Sequence, residues 1–168
     1  MKGYILITNQ ISFDYHYRQK ETDWVFCRKS ERPVNLQPHD YIFFLTKGHL
    51  PRPIVGYAQA GEVESMKIID IWNKYEKKTS CQDIETLEKR LNKRRDKKVG
   101  YYEIKNAKYS DKNRTVTDTE IGFAKDIQSG KFISEEQTRA LLSFFNTGNR
   151  DELKKYFPKD TSKTMRNR

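Results

Sequence analysis

The chain has 168 residues, and its 33 Lys and Arg outnumber 23 Asp and Glu, for a formal net charge of +10. Tyr 10, Phe 9 and Trp 2 supply more aromatic surface than a disordered chain carries. The length suits one domain, and no apolar run approaches the roughly 20 residues that cross a bilayer.

Tyr4–Thr8 is a short β-rich run and reads as a first strand. It is too short an apolar stretch for a secretory leader and has no small-residue cleavage site. Residues 9–21 are polar and aromatic without a clean period and read as a loop. Asp23–Cys27 alternates large side chains and reads as a second strand. Pro33, Asn35, Pro38 and Asp40 mark a turn-rich connection. Tyr41–Leu45 is a short, continuous apolar run, as expected of a strand buried on both faces. Gly48, Pro51 and Pro53 lead into a fourth strand over Ile54–Ala60. Met66–Trp72, with Ile68, Ile69 and Ile71, reads as a fifth.

Residues 80–98 change character. Ser80 and Asp83 resemble a capping box, and Ile84, Leu87 and Leu91 follow at helical spacing. Tyr101–Ala107 and Glu120–Ile127 read as further strands, separated by the polar loop 110–114. Ser134 and Gln137 form a clearer capping box, opening a helix that stops near Gly148. A last helical turn precedes Pro158, and 159–168 reads as a basic, polar tail beyond a single domain over 1–158. Short strands with inserted helices predict an α+β barrel of about six strands with flanking helices.

Little in the chain asks for catalysis. Cys27 and Cys81 stand outside any metal-ligand spacing, so no metal, cofactor or disulfide framework is expected. Reduced thiols suit a cytoplasmic protein. His16, His39 and His49 are unpaired in sequence and read as surface or loop residues. Aromatics beside cations are more informative, because a π-face stacks a base while neighbouring cations hold phosphates. Trp24 with Arg28, Lys29 and Ser30 has this form, as does Phe44 running into Thr46, Lys47 and His49. Trp72, followed by Lys74, Lys77 and Lys78, has it too. For each, ordinary core packing is the plain alternative. Lys89–Lys98 is the densest basic cluster; on a continuous helix Arg90, Lys93, Arg94 and Lys97 share the face opposite Leu87. A nucleic-acid partner is expected, and a solvated face is the alternative.

Four places together resemble the EVE domain of the PUA-like superfamily, whose relatives include ASCH and YTH domains. They are Tyr4–Thr8, Trp24 with Val25 and Arg28, Leu36–Phe44 followed by Ile54–Ala58, and Ser129–Glu136. His39 stands where that pattern has Gly before Asp40. The resemblance implies a pseudobarrel that binds RNA, or that reads a modified, for instance methylated, DNA base flipped into an aromatic pocket. Such modules serve modification-dependent restriction, joined to a nuclease or motor domain. It places the pocket at Trp24, Cys27, Arg28, Ser30, Leu45, Thr46, Lys47 and Trp72. Phosphate contacts then fall to Lys29, His49, Arg90, Lys93, Arg94, Lys97 and the tail. Two other readings stand beside it: an RNA-binding adaptor that never flips a base, and an ASCH-like small-molecule binder or enzyme using Lys47, Tyr57 and Glu62.

Overall fold

The computed structural model describes residues 1–8, 16, 18–46, 51–110, 114–122 and 130–157. Among the described residues seven strands form one sheet: β1 (Gly3–Thr8), β2 (Trp24–Cys27), β3 (Tyr41–Thr46), β4 (Pro53–Lys67), β5 (Lys98–Tyr109), β6 (Val116–Thr117) and β7 (Gly130–Ile133). Among the described residues four α-helices of defined extent accompany it: α1 (Ile68–Tyr75), α2 (Ile84–Leu91), α3 (Glu135–Thr147) and α4 (Asp151–Tyr156). The strand order is β2-β5-β4-β3-β1-β7, with β6 paired to β4. Among the described residues β2 and β7 are the two ends of that order. The mixed α+β class is as expected, but the sheet is open where the strand pattern predicts a closed barrel. Strand patterning is the same for both, because closure depends on which edges meet.

The chain divides into two compact units, 1–10 with 43–57 and 109–168, and 11–42 with 58–108. In the first, β1 and β7 run antiparallel with Gly3 opposite Ile133. Five consecutive residues of β3, Ile42–Thr46, are buried, as the unbroken apolar run predicts. Helix α3 buries Ala140, Leu141, Phe144 and Phe145. It starts where the sequence says: Ser134 Oγ accepts from the Gln137 N–H at 3.1 Å, and Gln137 Oε1 accepts from the Ser134 N–H at 3.0 Å. It ends at Gly148, whose φ of 78° lets its N–H reach the Phe144 carbonyl. The Arg114 guanidinium then donates to the carbonyls of Phe145 and Asn146, which a helix end leaves open. The strand expected over 120–127 is displaced to β6; residues 120–122 form a turn, and 123–127 lie outside the described residues.

In the second unit β2 runs antiparallel to β5, with Trp24 opposite Ile104 and Cys27 opposite Tyr101. Val25, Ile68, Ile71, Tyr75, Cys81, Ile84, Leu87, Leu91, Val99 and Tyr101 form its core. Here the expected fifth strand is corrected to helix α1. The β-branched run suggests a strand, but Ile68, Ile71 and Tyr75 are three and four apart and all face the core. Tertiary contacts then override propensity. Helix α1 has no side-chain cap. Its first two amides, on Ile68 and Ile69, instead donate to the carbonyls of Lys97 and Arg95 at 3.0 and 2.9 Å.

The charged helix is also shorter than its periodicity suggests. Asp83, not Ser80, caps α2, accepting from the Thr86 N–H at 2.8 Å. Asn92 ends α2 in the left-handed region at φ 51°. Lys93 to Lys97 are therefore not on a helix, and the shared-face argument for them falls. His39 also holds a left-handed φ, 74°, a backbone region that favours glycine.

Candidate nucleic-acid interface

The basic cluster survives as a turn rather than as a helix face. Past Asn92 the chain is tied down at several points. The Lys93 N–H donates to the Glu88 carbonyl and the Lys97 N–H to the Arg94 carbonyl. The Arg95 N–H donates to Glu88 Oε2 at 2.8 Å, while its guanidinium reaches Glu88 at 2.9 Å and Glu85 at 3.4 Å. That pairing holds the Glu88 carboxyl below its ordinary range, with the Arg95 hydrogen bond as the largest cause. Arg95, though exposed, is thus committed to Glu85 and Glu88, and its carbonyl accepts from the Ile69 N–H at the start of α1. Cations dominate the rest of the turn: Lys89, Arg94, Lys97 and Lys98 are exposed and Lys93 half-buried, with the exposed Asp96 among them. Among the described residues no carboxylate lies within ion-pair distance of these five.

Arg90 has a different task from the phosphate contact expected of it. Its two terminal nitrogens donate to the carbonyls of Thr79 and Ser80, both at 3.1 Å, closing the 3-10 turn Glu76–Thr79. Lys29 is exposed. Lys47, His49 and the tail 159–168 lie outside the described residues.

Trp24 is buried at 6% exposure, and the ring of His16 stacks on it, centroids 4.4 Å apart and planes within 10°. The surface reading of His16 is overturned: it is 2% exposed. One ring nitrogen bonds Glu21 at 2.8 Å and the other bonds the Ser80 hydroxyl. Burial, the largest cause, lowers the imidazole's pKa below 6.5 despite the Glu21 carboxylate. Four flat or polar neighbours in the sequence, Phe13, Tyr15, Tyr17 and Glu21, gave no period that would have marked this histidine as interior.

The other pocket candidates divide between the units. In the second unit, Cys27 is half-buried, and burial, with the nearby Cys81, raises its thiol to about 12. Arg28 donates to the Arg32 carbonyl, and the Ser30 hydroxyl accepts from the Arg32 N–H. Trp72 is half-buried against the core. In the first unit, Leu45 is wholly interior and Thr46 is buried.

Of the residues of the enzymatic alternative, Lys47 lies outside the described residues, and Glu62 and Tyr57 are each described within their own unit. Glu62, in the second unit, bonds the Tyr101 hydroxyl at 2.5 Å and the Lys74 ammonium at 3.1 Å. Those two contacts, Tyr101 first, hold Glu62 below the ordinary carboxylate range, and burial pushes the Tyr101 phenol up. Tyr57, in the first unit, reaches Asn146 at 3.4 Å.

No known family profile matches the chain, and no curated protein does. Solved structures do. An ASCH protein from Zymomonas mobilis aligns with a TM-score of 0.63 at 14% identity, covering 84% of this chain and 94% of its own. A tyrosine-to-phenylalanine variant of that protein gives a TM-score of 0.64 at 14% identity, covering 85% and 98%. A serine-to-alanine variant gives 0.64 at 12% identity, covering 85% and 96%. The chain has an ASCH-type fold. The likeness is to ASCH proteins, and EVE is not among these structures. Among the described residues no helix is long and apolar enough to cross a membrane.

Proposed function

We propose that this chain is a nucleic-acid-binding module that grips the phosphate backbone with the basic turn at residues 93–98. The observation that carries this reading is the division of labour in that turn. Arg95 is committed to Glu85 and Glu88 and the turn carbonyls to backbone amides, leaving Lys89, Lys93, Arg94, Lys97 and Lys98 with no carboxylate within ion-pair distance among the described residues. Cations held on a fixed backbone lose little further entropy when a phosphate arrives. Each phosphate met releases condensed counterions, which makes such binding steeply salt-dependent. The ASCH-type fold supports this reading, because RNA is the polymer that the PUA-like resemblance leads one to expect. Titrating single-stranded RNA, duplex RNA and DNA of one sequence across a salt series tests the proposal. RNA binding that weakens steeply with salt supports it, and binding indifferent to salt refutes it.

A second reading, a reader of a modified base, draws on one further observation. The His16 imidazole lies flat on Trp24, so that place accepts a planar heterocycle. A flipped base stacks there only by displacing His16, and a nuclease or motor partner would then supply the chemistry. His16→Ala vacates the indole face. On this reading it tightens binding of a methylated oligonucleotide relative to the unmodified one, and an unchanged ratio refutes it.

A further inference from the structure

Ser80 meets His16, 64 residues away, and through it Glu21, all within the second unit. The Ser80 hydroxyl bonds His16 Nε2, and His16 Nδ1 bonds Glu21 Oε2 at 2.8 Å. A carboxylate only accepts, so Nδ1 carries the proton and Nε2 accepts from the serine. The imidazole is held by more than these bonds. Its plane is fixed by Trp24, stacked 4.4 Å away, and the Glu21 N–H donates to the His16 carbonyl at 3.1 Å. The serine is fastened separately. Its N–H donates to the Lys77 carbonyl at 3.0 Å, and its own carbonyl accepts from the Arg90 guanidinium at 3.1 Å. Its φ is 69°, a left-handed backbone in which a residue with a side chain is the exception. Ser80 is half-buried and follows three exposed residues, 76–78, so the serine stands at the surface while its histidine is interior.

A hydroxyl, an imidazole and a carboxylate bonded in this order are the arrangement that turns serine into a nucleophile. A serine held left-handed in a tight turn is a second mark of that role, because strain kept at one residue needs a reason. A bond that merely tied residues 16–21 to the turn would need neither the contact to Glu21 nor a side chain where glycine is unstrained. We propose that Ser80, His16 and Glu21 are a nucleophilic triad that hydrolyses small carboxylic esters. Ser80 Oγ attacks the ester carbon as its proton passes to His16 Nε2, and Glu21 stabilises the imidazolium. Nε2 returns that proton to the leaving alkoxide as the C–O bond breaks. Water then attacks the acyl-serine, a proton passes through Nε2 to Ser80 Oγ, and the acid leaves. Burial holds the His16 pKa below 6.5, with Glu21 opposing and Arg90 assisting, so at neutral pH the imidazole can take the proton. Esters are the class that fits, because an alkoxide leaves more readily than the nitrogen of an amide. The triad does not depend on the nucleic-acid reading above.

The test treats the full chain with a fluorophosphonate, which reacts with activated serines, and maps the adduct by peptide mass spectrometry. Ser80 should be labelled about a hundredfold or more faster than the exposed Ser30. Labelling should slow as pH falls below 6.5 and His16 takes up a proton. Glu21→Gln and His16→Ala, with their folds checked by melting, should each slow labelling of Ser80 by about a hundredfold or more. Hydrolysis of p-nitrophenyl acetate by the wild type should disappear in Ser80→Ala. If the variants unfold, the ratio of Ser80 to Ser30 labelling in the wild type decides alone. Ser80 labelled no faster than Ser30 would overturn the triad. So would labelling that neither folded variant slows, which would mean a structural hydrogen bond only. Labelling without ester turnover would overturn the hydrolytic step.

Discussion

Neutralising two cations of the basic turn should change the salt dependence of binding by a definite amount. Arg94 and Lys97 are exposed and have no carboxylate partner among the described residues. The turn itself is held by Arg95, Glu88 and backbone bonds, so Arg94→Gln with Lys97→Gln should leave it folded. With five cations each meeting one phosphate, log K against log salt has a slope of about −3.5 on a single strand. Raising salt fourfold then weakens binding roughly 130-fold. Removing two contacts brings the slope to about −2, and the same step costs only about 20-fold. Fluorescence anisotropy with a labelled oligonucleotide at several salt concentrations measures both slopes. Lys154→Gln, an exposed position on α4, serves as the comparison and should leave the slope unchanged. An equal slope in the double variant and the wild type would refute phosphate contact through this turn. So would an equal loss in the Lys154 variant, since that would indicate net charge rather than a local grip.

His16 should make stability depend on pH. Its folded pKa lies below 6.5, so the unfolded chain takes up a proton first; stability is full above about pH 6.5 and falls as pH drops towards the folded value. Urea midpoints between pH 7.5 and 5.5 should decline in the wild type and stay flatter in His16→Gln; parallel curves would exclude this histidine as the cause. Trp24→Ala should cost about 3–5 kcal/mol in chemical denaturation, because the indole is a buried ring with a stacked partner, and a loss under about 1 kcal/mol would contradict its interior placement. Gly100→Ala should destabilise by roughly 1–3 kcal/mol, since a Cβ there would sit 2.8 Å from the Arg32 carbonyl oxygen and Pro33 Cα, both backbone; an unchanged melting temperature would mean this approach is looser. Ser134→Ala should cost about 1 kcal/mol by removing one half of the α3 capping box, readable as a lowered urea midpoint.

Features set by neighbours in the chain were legible from the residues alone. The unbroken run Tyr41–Leu45 declared a buried strand, and Ser134, Gln137 and Gly148 marked both ends of α3, because capping and burial on both faces are local requirements. The basic cluster was legible as charge but not as shape. Asn92 can adopt a left-handed backbone, yet whether it stops a helix there depends on where Lys97 and Arg95 must lie to cap α1. The same applies to Ile68–Tyr75, where β-branched residues spoke for a strand and a packed core made a helix.

The candidate site shows the division most clearly. Composition announced a cationic protein with aromatics beside the charges, and that determined the class of partner to look for. Only the tertiary structure decided which cations were spent. Arg90 and Arg95 satisfy carbonyls and carboxylates of their own chain, while their neighbours do not. Only it could bring Ser80 to His16, 64 residues away. The physical reason is common to both cases. Charge and hydropathy are properties of a residue, but whether a donor is satisfied is a property of the pair it forms, and long-range pairs exist only in the fold.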